Sequence, residues 1–185
     1  MEEKFINGER VYIFDELTST MDLADKLITQ NKTDVVVAKK QTKGRGRYGR
    51  KWYSEEGGLY FSLIEKNGRN EFLSEIVSFS IVKTLQEYRI NCKIKFPNDI
   101  IYRNKKIAGI LIEKKGEIYI IGIGINVNNY INEGINGISM KEILKREIKI
   151  EKVLEKFLII YKLNREEFQK NKRFYLKKWS DFLQK

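Results

Sequence analysis

The spacing of apolar residues in the first third of the chain predicts short strands alternating with a helix. Three apolar stretches have the length of strands and are bounded by polar or glycine-rich segments: Arg10–Leu17, Asp34–Ala38 and Leu59–Ile64. Between the first two, apolar residues recur every three or four positions, after hydroxyl side chains at 18–20 that can cap a helix. This helix is expected to end near Thr29.

The remaining pattern predicts a long helix, a meander of strands and a helical end. Apolar residues from Phe72 to Tyr88 follow a 3.6-residue period, which indicates a helix packed on one face. Pro97, the only proline in the chain, ends a short strand, and two polar turns separate the strands after it. The expected strands are 93–96, 100–103, 106–113 and 118–127. A loop at 128–137 is expected to follow them. Residues 140–185 form a helical C-terminal portion in this pattern.

The length and composition of the chain fit one domain with a substantial core. The chain has 185 residues, of which 42% are hydrophobic, and it shows no internal repeat. No apolar run approaches the length of a membrane span, and the N-terminus lacks the features of a signal peptide. The single cysteine, Cys92, excludes an internal disulfide bond and fits a structural role in a reducing compartment. We therefore expect a single cytoplasmic domain over residues 1–185, without a membrane partner.

The chain contains no histidine, which restricts the chemistry that it can perform. Ser-His-Asp and Cys-His catalysis and histidine-based zinc sites are excluded. Any catalysis would depend on lysine, arginine, carboxylates and backbone groups.

The net charge of +11 is concentrated in two segments of the chain. Residues 39–52, here called the basic segment, hold seven cationic side chains and no acid. A second group of cations near the C-terminus consists of Lys170, Lys172, Arg173, Lys177 and Lys178. This charge is compatible with a basic nucleic-acid-binding module. Such modules, however, usually carry their cationic side chains in a stripe along one helix or strand.

The basic segment interleaves glycines with arginines, as an anion-binding loop does. Glycine allows close backbone approach, and arginine supplies permanent planar donors for phosphate or carboxylate oxygens. Gly44-x-Gly46-x-x-Gly49 has the spacing of a dinucleotide-binding turn, but the residues that follow are not typical of a helix. The spacing also fits a P-loop, except that Arg50-Lys51 removes the hydroxyl that would bind magnesium. Both of these motifs are therefore rejected.

A series of sequence motifs occurs in order between residues 19 and 127. Residues 41–52 (QTKGRGRYGRKW) are similar to the biotin-loop signature of the biotin–protein ligase family. Residues 95–99 (KFPND) and 106–113 (KIAGILIE) resemble its Lys-Trp-Pro-Asn-Asp and Lys-x-Ala-Gly-Ile-Leu segments. Residues 122–127 (GIGINV) resemble its Gly-x-Gly-x-Asn strand, and Ser19-Thr20 lies where the family has a Ser-Thr pair.

The resemblance, which covers about residues 10–130, implies both a fold and a reaction. The fold is α+β, with a mixed, largely antiparallel sheet and packed helices like those of class II aminoacyl-tRNA synthetases. The reaction uses ATP, biotin and Mg²⁺ to form biotinyl-adenylate, and then transfers biotin to a lysine of a biotin carrier protein. A lipoate or octanoate ligase or transferase of the same fold is the alternative. DNA is not expected as a partner, because no helix-turn-helix precedes Arg10, and a homodimer is left open.

The resemblance also implies which residues act. Lys106, Arg45 and Arg47 are the expected catalytic residues, because cations must hold the biotin carboxylate beside the α-phosphate and absorb developing charge. The residues expected to bind biotin are Ser19, Thr20, Gln41, Gly44, Arg45, Gly46, Arg47, Lys106, Gly109, Gly122 and Gly124. The residues expected to bind the nucleotide are Arg47, Arg50, Trp52, Asn98, Asp99, Lys106, Ile110 and Asn126. The candidates for Mg²⁺ are Asn98 and Asp99.

Several of these assignments have structural alternatives. Ser19 and Thr20 could simply cap a helix, the strand glycines could mark β-bulges, and Asp99 could initiate a turn. The sequence also departs from the family pattern, since Phe96 replaces the usual Trp. No strand pattern for the small C-terminal β-barrel of many members is seen before Lys185, which leaves ATP affinity and biotin transfer open. In place of that barrel, the basic helix at the C-terminus could contact an acidic surface of the carrier protein.

Overall fold

A computed structural model describes residues 1–28, 34–65 and 72–184, which build a mixed sheet with helices on both faces. The strands within these ranges are β1 (Glu2–Ile6), β2 (Glu9–Leu17), β3 (Val35–Gln41), β4 (Leu59–Glu65), β5 (Lys93–Lys95), β6 (Asp99–Tyr102), β7 (Lys105–Lys115) and β8 (Ile118–Ile125). The helices are α1 (Thr20–Ile28), α2 (Leu73–Gln86), α3 (Met140–Leu144), α4 (Ile150–Lys170) and α5 (Lys172–Ser180).

The strands form one sheet in the order β1-β2-β3-β4-β8-β7-β6-β5. Among the strands that the structure describes, β2 and β3 pair in parallel and each other neighbouring pair is antiparallel. The parallel pair is possible because α1 carries the chain back across the sheet between β2 and β3. The predicted α+β fold with a mixed, largely antiparallel sheet is therefore confirmed. That residues 1–185 form a single domain stays a prediction.

Two features at the N-terminal side differ from the sequence prediction. β1 was not predicted, yet it forms a hairpin with β2 through a two-residue turn at Asn7 and Gly8, whose φ angles are 54° and 85°. Asn-Gly is the preferred sequence for this turn because both residues need positive φ. β3 also continues past Ala38 to Gln41, so the first three residues of the basic segment belong to a strand. The predicted end of α1 at Thr29 lies outside the described residues.

Each face of the sheet has its own hydrophobic core, because side chains alternate between the faces along every strand. α1 covers one face, where Met21, Ala24 and Leu27 pack with Tyr12 and Val36 of the strands. The larger core on the opposite face lies beneath the other helices, and residues from α2, α4 and α5 contribute to it. Of the helices in the described ranges, none is long and apolar enough to cross a membrane.

α1 is short and leaves part of its own face of the sheet uncovered. The side chains of β8 on this face begin with Ile118 and Ile120, which join the small core, and continue with Gly122 and Gly124. On this face β8 therefore has no side chain at Gly122, which Met21 of α1 covers, or at Gly124, which Trp52 covers. The chain segment between β3 and β4 lies over this region.

Candidate active site

Three glycines on β7 and β8 form the floor of a cleft. Gly109 lies directly opposite Gly124, and these strands pair residue by residue, so the glycines do not mark a β-bulge here. A Cβ added to Gly124 would lie 2.5 Å from Cε2 of Trp52, and one added to Gly122 would lie 2.6 Å from Sδ of Met21. Both glycines thus have a side chain directly on the strand backbone, a rigid ring at Gly124 and a flexible methionine at Gly122.

The segment over the floor, residues 42–52, is here called the glycine–arginine loop. It folds back on itself as a ribbon, in which the amide of Trp52 donates to the Gly44 carbonyl (2.9 Å) and the amide of Gly46 donates to the Arg50 carbonyl (2.7 Å). A short turn at 47–49 reverses the chain, with Tyr48 at a φ of 58°. A Cβ on Gly44 would lie 2.5 Å from the Trp52 carbonyl oxygen. A side chain at this position would therefore push the two arms of the ribbon apart.

Lys106 lies between an aromatic ring and a carboxylate at the edge of the floor. Its Nζ is 2.7 Å from Oδ1 of Asp99 and 4.9 Å from the centroid of the Trp52 ring. The ammonium therefore gains both an ion pair and a cation–π contact. Nε1 of Trp52 is buried and has no hydrogen-bond partner in the part of the chain that the structure describes. A buried donor of this kind would be satisfied by an acceptor on a bound molecule.

Arg47 is linked to Lys106 through two polar side chains. Nη1 of Arg47 donates to Oδ1 of Asn98 (3.2 Å), Nδ2 of Asn98 donates to Oδ1 of Asp99 (2.8 Å), and Asp99 pairs with Lys106. Arg47 also donates to the hydroxyl of Tyr48 at 3.0 Å. This chain of contacts brings together two cations that are far apart in sequence.

Arg45 differs from Arg47 because its guanidinium contacts two acids. It lies 2.5 Å from Oδ1 of Asp22 on α1, and it faces both carboxylate oxygens of Glu113 on β7 at 3.3 and 3.4 Å. Burial acts to lower the pKa of Arg45, but the hydrogen bonds with Glu113 and Asp22 outweigh that effect and leave its pKa raised. The guanidinium is thus permanently charged and already neutralised within the protein.

Ser19, Thr20 and Gln41 form a hydrogen-bonded corner of the cleft. The amide and hydroxyl of Thr20 both donate to Oε1 of Gln41, at 2.8 and 3.2 Å, and Ser62 donates to the Thr20 hydroxyl. Nε2 of Gln41 donates to Ser54 at 2.8 Å. The hydroxyl of Ser19 accepts from the amide of Met21 at 3.3 Å, which is the helix-capping contact that its position suggested.

The loop at 128–137 and the residues that flank it bond to the backbone of Lys106. The amide of Lys106 donates to the carbonyl of Asn136, and the carbonyl of Lys106 accepts from the amide of Ile138 and from Nδ2 of Asn126. Asn126 is in turn held by Nδ2 of Asn129, which donates to its Oδ1 at 3.1 Å. The side chain of Asn126 therefore contacts Lys106 at its backbone carbonyl.

These elements enclose a cleft of about 260 Å³. The predicted residues that line it are Ser19, Thr20, Gln41, Arg45, Gly46, Arg47, Arg50, Trp52, Asn98, Lys106, Gly109, Ile110, Gly122, Gly124 and Asn126. Gly44 and Asp99 do not line it, although Asp99 contacts Lys106. The lining residues that the sequence prediction missed are Met21, Lys51, Tyr53, Glu55, Leu111, Ile123, Asn129, Tyr130, Ile131, Asn132, Ile135, Asn136 and Gly137. Met21 follows the Ser-Thr pair directly and could have been found from that position, whereas the loop at 128–137 carries no motif.

The proposed metal candidates already have other partners. Oδ1 of Asn98 accepts from Arg47, and Oδ1 of Asp99 faces Lys106 and Asn98. In residues 1–28, 34–65 and 72–184, no group of three or more acidic or cysteine side chains could hold a metal ion. The side chains alone do not match a magnesium site.

Comparison with known proteins identifies relatives of this chain. Residues 11–128 match the model of the biotin/lipoate A/B protein ligase family. The chain is 38% identical over 141 residues to the bifunctional ligase/repressor BirA of Bacillus subtilis, a match that covers 69% of this chain and 43% of that protein. It is 34% identical over 140 residues to the biotin–protein ligase of Homo sapiens, which covers 65% of this chain and 19% of that protein. The chain thus spans less than half the length of these relatives.

A solved structure with the same fold contains both substrates of the reaction implied by the sequence. It is the biotin protein ligase from Aquifex aeolicus in complex with biotin and ATP. The two chains superpose with a TM-score of 0.80 and 35% identity, over 87% of this chain and 72% of that one. This alignment covers more of the chain than residues 11–128.

Proposed function

Because the chain belongs to the biotin/lipoate A/B protein ligase family, we propose that it activates biotin with ATP and transfers it to a carrier protein. The first step joins the biotin carboxylate to the α-phosphate of ATP and releases pyrophosphate. The second step passes the biotinyl group to a lysine amine of the carrier and releases AMP. The observation that carries the proposal is the linked arrangement of Arg47, Asn98, Asp99 and Lys106 at the edge of a glycine floor.

This arrangement fits the electrostatic demand of the first step. A carboxylate and a triphosphate repel each other, so their approach requires fixed cations that also stabilise the charge that develops at the α-phosphate. Lys106 is held in place by Asp99 and by its own backbone contacts. Arg47 contacts the neutral groups of Asn98 and Tyr48, so its charge is available to a bound anion. We therefore propose that Lys106 and Arg47 contact the reacting carboxylate and phosphate.

The corner formed by Thr20 and Gln41 suits the uncharged polar head of biotin. A ureido ring buried in a mainly apolar slot needs both donors and acceptors. The groups of Thr20 and Gln41 now bond to each other and to Ser54 and Ser62, and Met21 provides an apolar surface on Gly122. Nε1 of Trp52, which has no hydrogen-bond partner among the described residues, offers a further donor on the same floor. We propose that biotin binds here, with Gly109, Gly122 and Gly124 beneath it.

ATP is proposed to bind on the side of the cleft that contains Arg47, Arg50 and Asn98. Asn98 and Asp99 already bond to cations and to each other, so Mg²⁺ would have to be held mainly by the ATP phosphates and by water. When bound, the ion would neutralise phosphate charge. The protein contributes the orientation of the phosphates and their separation from water.

The experiment that tests the function is the detection of adenylates by mass spectrometry. The protein is incubated with ATP, Mg²⁺ and either biotin or lipoate, and the products are identified by mass. Biotinyl-adenylate is expected, and its absence under both conditions would contradict the proposal. Formation of lipoyl-adenylate instead would favour the second branch of the family, whose model description includes lipoate ligases.

A matched pair of lysine variants separates chemistry from general charge. Lys106→Ala should lower the rate of adenylate formation by roughly 100-fold or more, because it removes a cation from the reacting groups. Lys105→Ala removes an exposed neighbour on the same strand that does not line the cleft, so its rate should equal the parent rate. Equal rates in both variants would exclude Lys106 from the reaction.

The alternative of a nucleic-acid-binding module loses support from the contacts of the basic segment. Lys39 pairs with Asp15, and Lys40 lies near Glu16 and Glu55. Together with Arg45, three of the seven cations of the basic segment are thus balanced by neighbouring acids. Salt-dependent binding of DNA or RNA without adenylate formation would nevertheless favour this alternative.

A further inference from the structure

We propose that Asp22 and Glu113 are positioning residues that fix the glycine–arginine loop over the cleft by holding Arg45. The link to the loop follows from the contacts of Arg45 alone. The link to catalysis rests on the proposed function. The sequence prediction gave Arg45 a contact with the substrates, and the contacts of its guanidinium favour this different role.

The donors of Arg45 are almost fully occupied within the protein. Nε and Nη2 face the two oxygens of Glu113 in a fork, and Nη1 donates to Asp22 and, at 3.2 Å, to the hydroxyl of Ser19. These contacts use four of the five N–H groups that a guanidinium carries. A substrate anion would have to break a bidentate pair before it could use this arginine.

The contacts of Arg45 tie three separate elements together. Asp22 is in the first turn of α1, Glu113 is on β7, and Arg45 itself pairs with Lys51 across the ribbon of the loop. Lys51 directly precedes Trp52, whose amide is bonded to the Gly44 carbonyl. Holding the guanidinium of Arg45 therefore holds both arms of the ribbon and the ring that lies on the glycine floor.

The two carboxylates act from outside the cleft. Neither Asp22 nor Glu113 lines it, and their side chains are 44% and 31% exposed. Arg47 shows the contrast, because its partners Asn98 and Tyr48 are neutral and no carboxylate among the described residues pairs with it. The two arginines of the Gly-Arg-Gly-Arg sequence therefore divide their roles, one fixing the loop and the other facing the substrates.

The chain offers a matched control for these ion pairs. Asp25, three residues after Asp22 on α1, pairs with Lys115, two residues after Glu113 on β7, at 3.5 Å. This pair also joins α1 to β7 and is similarly exposed, but it does not involve the loop. Asp25→Asn should therefore reproduce any general effect of a lost α1–β7 ion pair.

The first test measures protection of the loop in the protein without ligands. Asp22→Asn, Glu113→Gln, the double variant and Asp25→Asn are digested with trypsin, and cleavage after Lys43, Arg45, Arg47, Arg50 and Lys51 is followed by mass spectrometry. None of the four variants changes these cleavage sites. Asp22→Asn and Glu113→Gln should each accelerate cleavage in the loop roughly threefold to tenfold, and the double variant more, with Asp25→Asn unchanged. Cleavage at the parent rate in the double variant would overturn the proposal.

The second test measures catalysis and distinguishes positioning from substrate contact. Asp22→Asn and Glu113→Gln should release biotinyl-adenylate faster than the parent, while KM for ATP and biotin changes little. Arg45→Gln should behave in the same way, and adding Glu113→Gln to it should have no further effect. If removal of the carboxylates instead lowers KM with the loop still protected, Arg45 is a substrate contact and the proposal fails. If the parent forms no adenylate, the proposed function fails, and the proteolysis alone decides the proposal on the loop.

Discussion

Replacing Gly124 by alanine tests how Trp52 is seated on the floor of the cleft. The added Cβ would lie 2.5 Å from both Cε2 and Nε1 of the ring, whereas ordinary contacts are 3.4–4 Å. The indole is rigid and also lies over Gly109, where an added Cβ would be 2.8 Å from its Cζ3. The ring therefore cannot absorb the clash by a small rotation, and we expect it to leave the floor.

The expected free-energy change is the sum of two opposing effects. Overpacking of a filled site costs about 1–3 kcal/mol. Against this, alanine in a strand interior is favoured over glycine by about 0.5–1 kcal/mol because the unfolded chain loses less freedom. Gly124→Ala should therefore lower the free energy of unfolding by about 0.5–2 kcal/mol. In a Trp52→Ala background the clash is absent, so the same change should be neutral or stabilising by up to about 1 kcal/mol.

The assay is urea unfolding of the parent, the two single variants and the double variant. Gly122→Ala provides the control, since its Cβ would meet only Sδ and Cγ of Met21, a flexible chain that can move, and its cost should be smaller. Displacement of the ring should also shift the tryptophan fluorescence of Gly124→Ala but not of Gly122→Ala. Equal costs of Gly124→Ala in both backgrounds would show that Trp52 does not lie on this strand.

Three further predictions concern the core, the cysteine and the asparagine behind Lys106. Phe157→Ala, at a fully buried site, should lower the free energy of unfolding by about 3–5 kcal/mol in urea titration, whereas Phe174→Ala, at a half-exposed site, should cost less than about 1 kcal/mol. Burial raises the pKa of the Cys92 thiol from 9.0 to about 12, so iodoacetamide should alkylate the native protein far more slowly than the unfolded one. Between about pH 9 and 12 the thiol ionises only in the unfolded protein. The contribution of Cys92 to the free energy of unfolding should therefore fall as pH rises through this range. Asn126→Ala removes a bond to the carbonyl of Lys106 and should slow adenylate formation more than it changes KM in steady-state assays.

Each of these three has a result that would contradict it. Similar costs of the two phenylalanine substitutions would show that the side chain on α4 is not part of the core. Rapid alkylation of Cys92 in the native protein, or stability that does not change above pH 9, would contradict its burial. An unchanged rate for Asn126→Ala would show that the position of Lys106 does not depend on this contact.

Local patterns in the sequence were sufficient to predict most of the sheet. The meander of β6, β7 and β8 follows from alternating apolar residues and polar turns, and the antiparallel pairing of these strands follows from the short turns between them. The hairpin of β1 and β2 was missed although Asn7-Gly8 is a strong turn signal, because the residues of β1 are mostly charged and exposed. The extension of β3 to Gln41 was missed because charged residues were assigned to the loop, whereas Lys39 and Lys40 pair with acids on β2.

The predicted residues of the candidate site were largely brought together, but their partners could not be predicted. Arg45 and Glu113 are 68 residues apart, and their contact depends on how the loop lies across β7. Asp99 had been considered for the nucleotide and for a metal. It lies opposite Gly109 in the pairing of β6 with β7, and it contacts Lys106 because the lysine side chain lies over that glycine. Motifs identify which residues surround a site, whereas the pairing of their charges is decided by tertiary structure.

That pairing also indicates where the negative charge of ATP should lie. Five cations line the cleft, and two of them, Arg45 and Lys106, are paired with acids. For Arg47, Arg50 and Lys51, no carboxylate partner is found among the described residues, and their contacts are with Asn98, with the Arg47 carbonyl and with tyrosine side chains. Uncompensated positive charge is therefore concentrated at the turn of the glycine–arginine loop, away from the neutral corner of Thr20 and Gln41. We therefore propose that the triphosphate lies at that end of the cleft and the ureido ring at the other, because a polyanion is attracted to the first and an uncharged ring is not repelled from the second.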